Sequence, residues 1–314
     1  MVRILYPGLG LIVITGLFFA WVIYRWLRKR RLTRGDDLRN TIKGALEALS
    51  QDDSDILKIH PRESVTEIFK LINDYDEEAR EALFNYLEII NFGGELERLE
   101  ILEKESDYRL LVVKSALGME EGWKVSVKWL DKPGTWQWSA AIHALSYWPG
   151  QSADQLLVAE LASLSERYRV VDRAFNQPII GALKRRGENC QELAQTYLNS
   201  FAPPCLLTLV LMYFKELDRP SDKIRKSLES RLKYLWEDAG DELKAKILSV
   251  AAKHELSGLV PLARAAIGRE VDFVQLWAVR LLSKSSSGNS YLKKVREEGS
   301  PRARKEVEEL PSLS

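Results

Sequence analysis

The three histidines are the side chains of this sequence best suited to acid–base chemistry or zinc binding. They are His60, His143 and His254, and they lie in three separate regions of the chain. A zinc site needs several converging ligands, which usually include a close pair in the sequence. Neither cysteine, Cys190 or Cys205, lies beside a histidine. We therefore expect no metal site, and the two cysteines are expected to be buried free thiols in a reducing compartment.

Patterns of nucleophilic and nucleotide chemistry are also missing. The sequence contains no Gly-x-Ser-x-Gly elbow, no Walker loop and no His-Glu-x-x-His helix. Adjacent carboxylates such as Glu120 and Glu121 stand where helices are expected to begin, and the helix dipole favours acidic residues there. The basic segment ALKRRGE (182–188) is expected to stabilise a helix C terminus rather than to bind phosphate. We expect no catalytic residue, no cofactor and no enzymatic activity.

A tryptophan cluster is the feature of the sequence most suited to binding a partner. Two of its members, Trp136 and Trp138, are two positions apart, so they cannot both face one core from the same helix. One of them is expected to be partly exposed, and exposed tryptophan is enriched at binding hot spots. Core packing and a groove for a partner both explain the cluster. Its five tryptophans, within 26 residues, are Trp123, Trp129, Trp136, Trp138 and Trp148.

The first 34 residues join an apolar segment to a basic one. Residues 4–24, ILYPGLGLIVITGLFFAWVIY, contain no charged residue, and as a helix they would span about 32 Å, the thickness of a hydrocarbon core. Residues 1–34 hold seven basic residues and no acidic one, and six of the seven follow the apolar segment. A cleaved signal peptide is the alternative, but the apolar segment exceeds the usual ~7–15 residues and no cleavage site follows it.

We therefore expect residues 1–34 to form a transmembrane anchor that contacts the lipid bilayer through residues 4–27. Because Lys and Arg stay on the cytoplasmic side, the short N terminus is expected outside the plasma membrane and the body in the cytoplasm. Since the whole chain has a net charge of +1, residues 35–314 carry −6, and a nucleic-acid partner is not expected. The residues expected at the membrane interface are Trp21, Tyr24, Arg25, Trp26, Arg28, Lys29, Arg30 and Arg31.

Beyond Gly35 the apolar residues recur at helical spacing almost throughout. Two amphipathic helices, residues 36–50 and 61–74, are expected within an N-terminal cap or linker, residues 35–75. Helix pairs are expected from residue 76 to residue 314. The segment WKVSVKWL (123–130) alternates like a strand, but helix is preferred there. First helices should begin near Asp76, Asp107, Gly134, Tyr168, Pro203, Ala239 and Glu270, and second helices near Glu95, Glu120, Gln151, Glu188, Ser221, Leu256 and Gly288, with Gly, Pro and Ser between them.

A short cassette of small and branched residues recurs in the first helices. A single pair cannot bury its apolar face alone, so neighbouring pairs must stack into one core. Units of about 30 residues with AIHAL-type cassettes and Arg or Asp near the turns resemble the HEAT-repeat superfamily, including its short phycobilisome-lyase variants. The resemblance covers roughly residues 76–310 and is one of pattern. The cassettes are VVKSA (112–116), AIHAL (141–145), VVDRA (170–174), KILSV (246–250) and AVRLL (278–282).

The resemblance implies an all-α fold in which the anchor precedes a right-handed α-solenoid of paired antiparallel helices; an irregular helical bundle is the alternative. It also implies a scaffold or adaptor that binds another protein at the membrane, since such arrays rarely catalyse reactions. The alternatives are a DNA-glycosylase-type enzyme and a lyase- or chaperone-like module for a cofactor or client protein. Second helices tend to line the concave face in this family. The candidate partner-binding residues, each of which could instead be an ordinary solvated or core residue, are Lys124, Lys128, Trp136, Trp138, Gln155, Gln191, Arg225 and Lys233.

Overall fold

The computed structural model describes residues 61–310 apart from positions 76, 90, 91, 103, 169–172 and 200. In these residues the regular structure is helical throughout and contains no strand, which confirms the all-α class for this part of the chain. Residues 123–130 are helical as expected. The helices are α1 (Pro61–Asp74), α2 (Glu77–Ile89), α3 (Phe92–Glu97), α4 (Tyr108–Ala116), α5 (Glu120–Leu130), α6 (Trp136–Leu145), α7 (Ser152–Tyr168), α8 (Arg173–Arg186), α9 (Glu188–Gln195), α10 (Pro204–Glu216), α11 (Asp222–Trp236), α12 (Asp241–His254), α13 (Val260–Ala266), α14 (Asp272–Ser283), α15 (Ser286–Glu298) and α16 (Pro301–Glu308), with short 3-10 helices at Glu105–Asp107 and Ser257–Leu259.

The predicted helix starts fall within four residues of the observed ones, with one exception. Tyr168, predicted to begin a helix, is the last residue of α7. Leu157, Leu161 and Leu164 recur at helical spacing and are buried, so core contacts continue along most of α7. Gly93 and Gly94 are helical in α3 although glycine usually interrupts a helix, and the buried side chains of Phe92 and Leu96 support this short helix. The predicted helix over residues 36–50 lies outside the described residues.

The described residues up to Met119 form one compact unit, and those from Glu120 form a second. In the first unit α1 packs on α4, and α2 packs on α3. Lys114 of α4 is fully buried, and its Nζ donates to the carbonyl oxygen of Leu99 at 2.5 Å. This unit contains helices from both sides of residue 76, and the division at that residue into a cap and helix pairs stays a prediction of the sequence.

The helices of the second unit pack in two rows. Each member of a row contacts the next member of that row, two helices further along the chain. Helix α5 forms a hairpin with α6. Row one contains α6, α8, α10, α12, α14 and α16, and row two contains α7, α9, α11, residues 257–266 with α13, and α15.

Hydrogen bonds between row-one helices show that neighbours run in the same direction. His254 Nε2, at the end of α12, lies 2.6 Å from the carbonyl oxygen of Phe214, near the end of α10. At the opposite ends, Lys244 in the first turn of α12 donates to Glu270, just before α14, at 2.8 Å. The connections that lead from row two to row one therefore lie along one edge of the unit, and those that lead from row one to row two lie along the other.

The cassettes predicted to allow close packing are buried where the structure describes them. In 112–116 every residue is buried, and in 141–145, 246–250 and 278–282 all but one residue of each cassette are buried. The cassettes 141–145, 246–250 and 278–282 belong to α6, α12 and α14 in row one. The side chains of the cassette 170–174 lie outside the part that the structure describes. Small and branched side chains bring these helices close together, as the sequence predicts.

No helix among the described residues is long and apolar enough to cross a bilayer. The predicted anchor, residues 4–27, and all eight predicted membrane-interface residues lie outside the described residues. The anchor therefore stays a prediction of the sequence.

Candidate partner-binding surface

The tryptophans of α5 and α6 lie at two depths. Trp129 and Trp138 are fully buried, whereas Trp123, Trp136 and Trp148 are half-buried. Trp136 contacts Trp129 edge to face, with ring centroids 5.2 Å apart. Of the two tryptophans that the sequence places two positions apart, Trp136 is thus the one that keeps accessible surface.

Trp138 belongs to the core of the second unit. Its Nε1 donates to Glu160 Oε1 of α7 at 2.9 Å, and its ring stacks on Phe175 of α8 with centroids 5.5 Å apart. The same phenylalanine ring would lie 2.8 Å from a Cβ at Gly134, which has a φ of +79°. Glycine is therefore required in the α5–α6 connection both by the backbone and by the close approach of Phe175.

The predicted polar candidates differ in exposure: four are exposed, one is buried and one is half-buried. Lys124, Lys128, Gln155 and Lys233 are exposed, and Lys124 pairs with Glu120 at 2.7 Å. Lys233 pairs with Glu229 at 3.3 Å. These residues lie on three different helices, and only the two α5 lysines are close in register, one turn apart.

Gln191 and Arg225 are less accessible than the other polar candidates. Gln191 is buried at the start of α9. Arg225 is half-buried, and its Nη2 donates to the carbonyl oxygen of His254 at 2.9 Å. Arg225 thus joins the start of α11 to the end of α12, and this contact accounts for it without a partner.

The most accessible apolar position on α5 is Val127, which lies between the two lysines in register. Trp123, one turn before Val127, contacts Trp148 with ring centroids 4.9 Å apart. We call the accessible side chains Trp123, Lys124, Val127 and Lys128, with Trp136, the α5 surface. It combines apolar area with ammonium groups and suits a protein segment with apolar and acidic side chains.

A buried polar network was missed by the sequence reasoning. Asp154 of α7 is 1% exposed, and Arg186 of α8 donates to its Oδ1 at 2.5 Å. Arg186 also donates to the carbonyl oxygens of Trp148 and Gly150 in the α6–α7 connection. Arg186 therefore fixes the end of α8 to the preceding helix pair. This explains the basic segment 182–188 as structural, but the partners lie more than 30 residues away and could not be assigned from the sequence.

Cys190 lies beside this network. Its Sγ is 3.4 Å from Asp154 Oδ1. Burial, and then the nearby Asp154 carboxylate, raise the pKa of the Cys190 thiol, so the reactive thiolate is disfavoured. Cys190 acts as a small core side chain, in agreement with the expectation of a buried free thiol, whereas Cys205 is a free thiol that is only half-buried.

His143 and His254 lie in separate environments, and His60 lies outside the described residues. The ring of His143 lies 5.3 Å from that of Tyr147, over which Arg185 is also placed. Burial, and then the positive charge of Arg185, lower the pKa of His143 to about 4. His143 is thus neutral at physiological pH, and its position on the α6–α8 contact supports a packing role.

A cleft of about 580 Å³ lies in the first unit. Val65, Leu99 and Leu110 form its apolar side. Its polar groups contact the chain itself: Asp107 Oδ2 accepts the backbone N–H of Leu102 at 2.8 Å, and Arg109 donates to Thr66 at 3.3 Å. These contacts position the loop before α4, and they leave the α5 surface as the stronger candidate.

Comparisons with models of known protein families and with curated proteins give no match.

Proposed function

We propose that this chain is a single-pass membrane scaffold whose body binds another protein at the cytoplasmic face of the plasma membrane. In this proposal the body is a HEAT-like, right-handed α-solenoid. The two-row packing of successive helices is the observation that supports it most, because each helix pair contacts its neighbours and presents a long surface to solvent. The uncharged segment 4–24 and the basic residues that follow it support the anchor.

Tethering to the bilayer makes weak docking sufficient. When this chain and its partner are both held at the same bilayer, each meets the other at a raised effective concentration, which can be millimolar for short linkers. The α5 surface offers apolar contact area and two lysines without the large exposed apolar patch that would cause aggregation. A transient adaptor contact of this kind fits the modest exposure of its tryptophans.

The test uses the full chain in membranes of cells that express it. We expect the chain to resist carbonate extraction and to crosslink to a membrane-associated protein. The double variant Trp136→Ser with Lys128→Glu should reduce that crosslink, whereas Lys226→Glu, a charge reversal at an exposed position of α11, should not. If carbonate extracts the chain from the membrane, the proposed anchor is wrong. If the α5 double variant crosslinks as strongly as the unchanged chain, the α5 surface is not the binding site.

A further inference from the structure

The exposed large apolar side chains of the second unit lie along one edge. In the described residues from Glu120 onward they are Val127 (39% exposed), Phe201 (94%), Tyr234 (62%), Val271 (40%) and Phe273 (38%). Each lies within four residues of a connection that leads into a row-one helix. We call this side of the unit the entry edge. Among the described residues, the opposite edge carries none.

Phe201 is held in solvent by a structured turn. Asn199 Oδ1 accepts the backbone N–H of Phe201 at 3.0 Å, and Asn199 Nδ2 donates to the Thr196 carbonyl oxygen at 2.9 Å. Pro203 and Pro204 follow and restrict the backbone further. An aromatic side chain presented from a fixed backbone loses less conformational entropy on binding than one on a flexible loop.

Four carboxylates occupy the next connection along the entry edge. Glu237, Asp238, Asp241 and Glu242 are all exposed, and none forms an ion pair within the part of the chain that the structure describes. The helix dipole favours the last two at the start of α12, but it disfavours the first two at the end of α11. Residues 120–314 as a whole carry +4, so the local negative charge does not follow from composition.

The apolar and acidic groups are neighbours in the packing of row one. Helices α10, α12 and α14 contact one another in that order. Phe201 precedes α10, the four carboxylates surround the start of α12, and Val271 and Phe273 begin α14. The Lys244–Glu270 pair, at 2.8 Å, links the start of α12 to the residue before Val271. Acidic groups are thus flanked on both sides by exposed apolar side chains.

We propose that the entry edge binds a basic amphipathic helix of a partner protein. The apolar stripe of that helix would contact Phe201, Tyr234 and Phe273, and its lysines or arginines would contact the carboxylates between them. Because like charges repel, the same carboxylates disfavour contact between this edge and an anionic lipid surface. This inference rests on the proposed function and specifies a binding surface and the chemistry of the partner.

The first test places a photoreactive benzoylphenylalanine at position 273 of the full chain in zwitterionic nanodiscs. Two helical peptides serve as probes, one of leucine and lysine and one of leucine and glutamate in the same amphipathic pattern. The same photoreactive residue at exposed Asn189, near the opposite edge, is the control. We expect crosslinking from position 273 to the lysine peptide to exceed both crosslinking to the glutamate peptide and crosslinking from position 189 by about tenfold.

The second test reverses charge at the entry edge. Glu237→Lys with Asp238→Lys should weaken binding of the leucine–lysine peptide by about tenfold. The matched control is Glu308→Lys with Glu309→Lys, which changes two exposed acidic residues at the end of α16, at the opposite edge. Circular dichroism checks that both variants keep the fold. Equal loss of binding in the two variants, or no loss in either, would overturn the proposal.

The remaining outcomes also decide the question. Crosslinks from position 273 to lipid would assign the edge to the bilayer, and crosslinks to a second copy would assign it to self-association; either contradicts the proposal. If the edge fails these tests while the chain still resists carbonate extraction and crosslinks to a protein through the α5 surface, the proposed function stands without this inference.

Discussion

At the scale of single residues, the Arg186 guanidinium donates hydrogen bonds to three groups. They are the buried Asp154 carboxylate and two carbonyl oxygens of the α6–α7 connection. Removing one partner of a buried ion pair leaves an uncompensated charge and typically costs about 3–5 kcal/mol. Replacing Arg186 alone is therefore expected to lower the free energy of unfolding strongly, whereas replacing both members of the pair would lower it much less.

We predict that Arg186→Met lowers the free energy of unfolding by about 3–5 kcal/mol, because Asp154 stays buried without its cation. Urea denaturation followed by circular dichroism measures this change. Lys184→Met on the same helix, which breaks a 3.5 Å pair with the mostly exposed Asp218, should cost at most about 1 kcal/mol. Adding Asp154→Asn to Arg186→Met should recover part of the loss; similar losses in the two single variants would contradict this assignment.

The lowered pKa of His143 predicts a specific pH dependence. The folded protein protonates His143 only near pH 4, whereas the unfolded chain does so near the ordinary value of about 6.5. Between these values the unfolded state binds more protons, so stability falls as pH falls through this range and levels off below it.

The variant His143→Gln should therefore lose stability less steeply than the unchanged protein between about pH 6.5 and about pH 4. His254, whose pKa is also lowered, mainly by burial, remains in both proteins and serves as the internal reference. Denaturation midpoints at several pH values provide the measurement. Parallel curves for the two proteins across this window would show that His143 does not contribute.

At the scale of helices, two glycines of one segment should respond in opposite ways to the same change. Gly181 lies inside α8, where an added Cβ would lie no closer than 4.0 Å to its nearest neighbour, Arg185 Nη1. Gly187 follows α8 with a φ of 72° and a ψ of −142°, a region that is nearly restricted to glycine. We predict that Gly181→Ala stabilises the fold by up to about 1 kcal/mol, and that Gly187→Ala destabilises it by about 1–3 kcal/mol. Thermal unfolding of both variants tests the pair, and a change of the same sign in both would contradict it.

The helices themselves could be predicted from the sequence because the signals are local. Apolar spacing together with Gly, Pro and Ser breaks located almost every helix start. The choice between Trp136 and Trp138 could not be made in this way, because it depends on Glu160 and Phe175, which come from later helices. The buried pair of Asp154 and Arg186 was missed for the same reason, since each residue alone is typical of a helix end.

At the scale of the whole molecule, the second compact unit contains its own buried core and its own polar network. We predict that residues 120–314, expressed alone, fold into a helical domain that unfolds cooperatively in urea, because the two rows contact one another within this unit. Far-ultraviolet circular dichroism and denaturation measure this. A fragment that is unfolded, or that unfolds without cooperativity, would show that the unit depends on the rest of the chain.

The candidate surfaces were only partly accessible to sequence reasoning. The sequence identifies the tryptophan cluster and the lysines of α5, since composition and helical register suffice. The entry edge was missed because Phe201, Tyr234 and Phe273 are far apart in the sequence, and only the parallel packing of row one brings their connections to one side. A charge total over residues 35–314 also conceals the difference between an acidic first part and a second part of +4.

Quantitative crosslinking of the full chain in its own membranes is the decisive test of whether this protein binds another protein at the bilayer. The experiment compares the unchanged chain with a folded variant that carries changes on both surfaces, Trp136→Ser with Phe273→Ser. We expect the unchanged chain to crosslink to one membrane-associated protein, and we expect the variant to lose most of this crosslink while it stays in the membrane. Recovery of the same protein in equal amounts from both chains, or of no specific protein from the unchanged chain, would contradict this expectation.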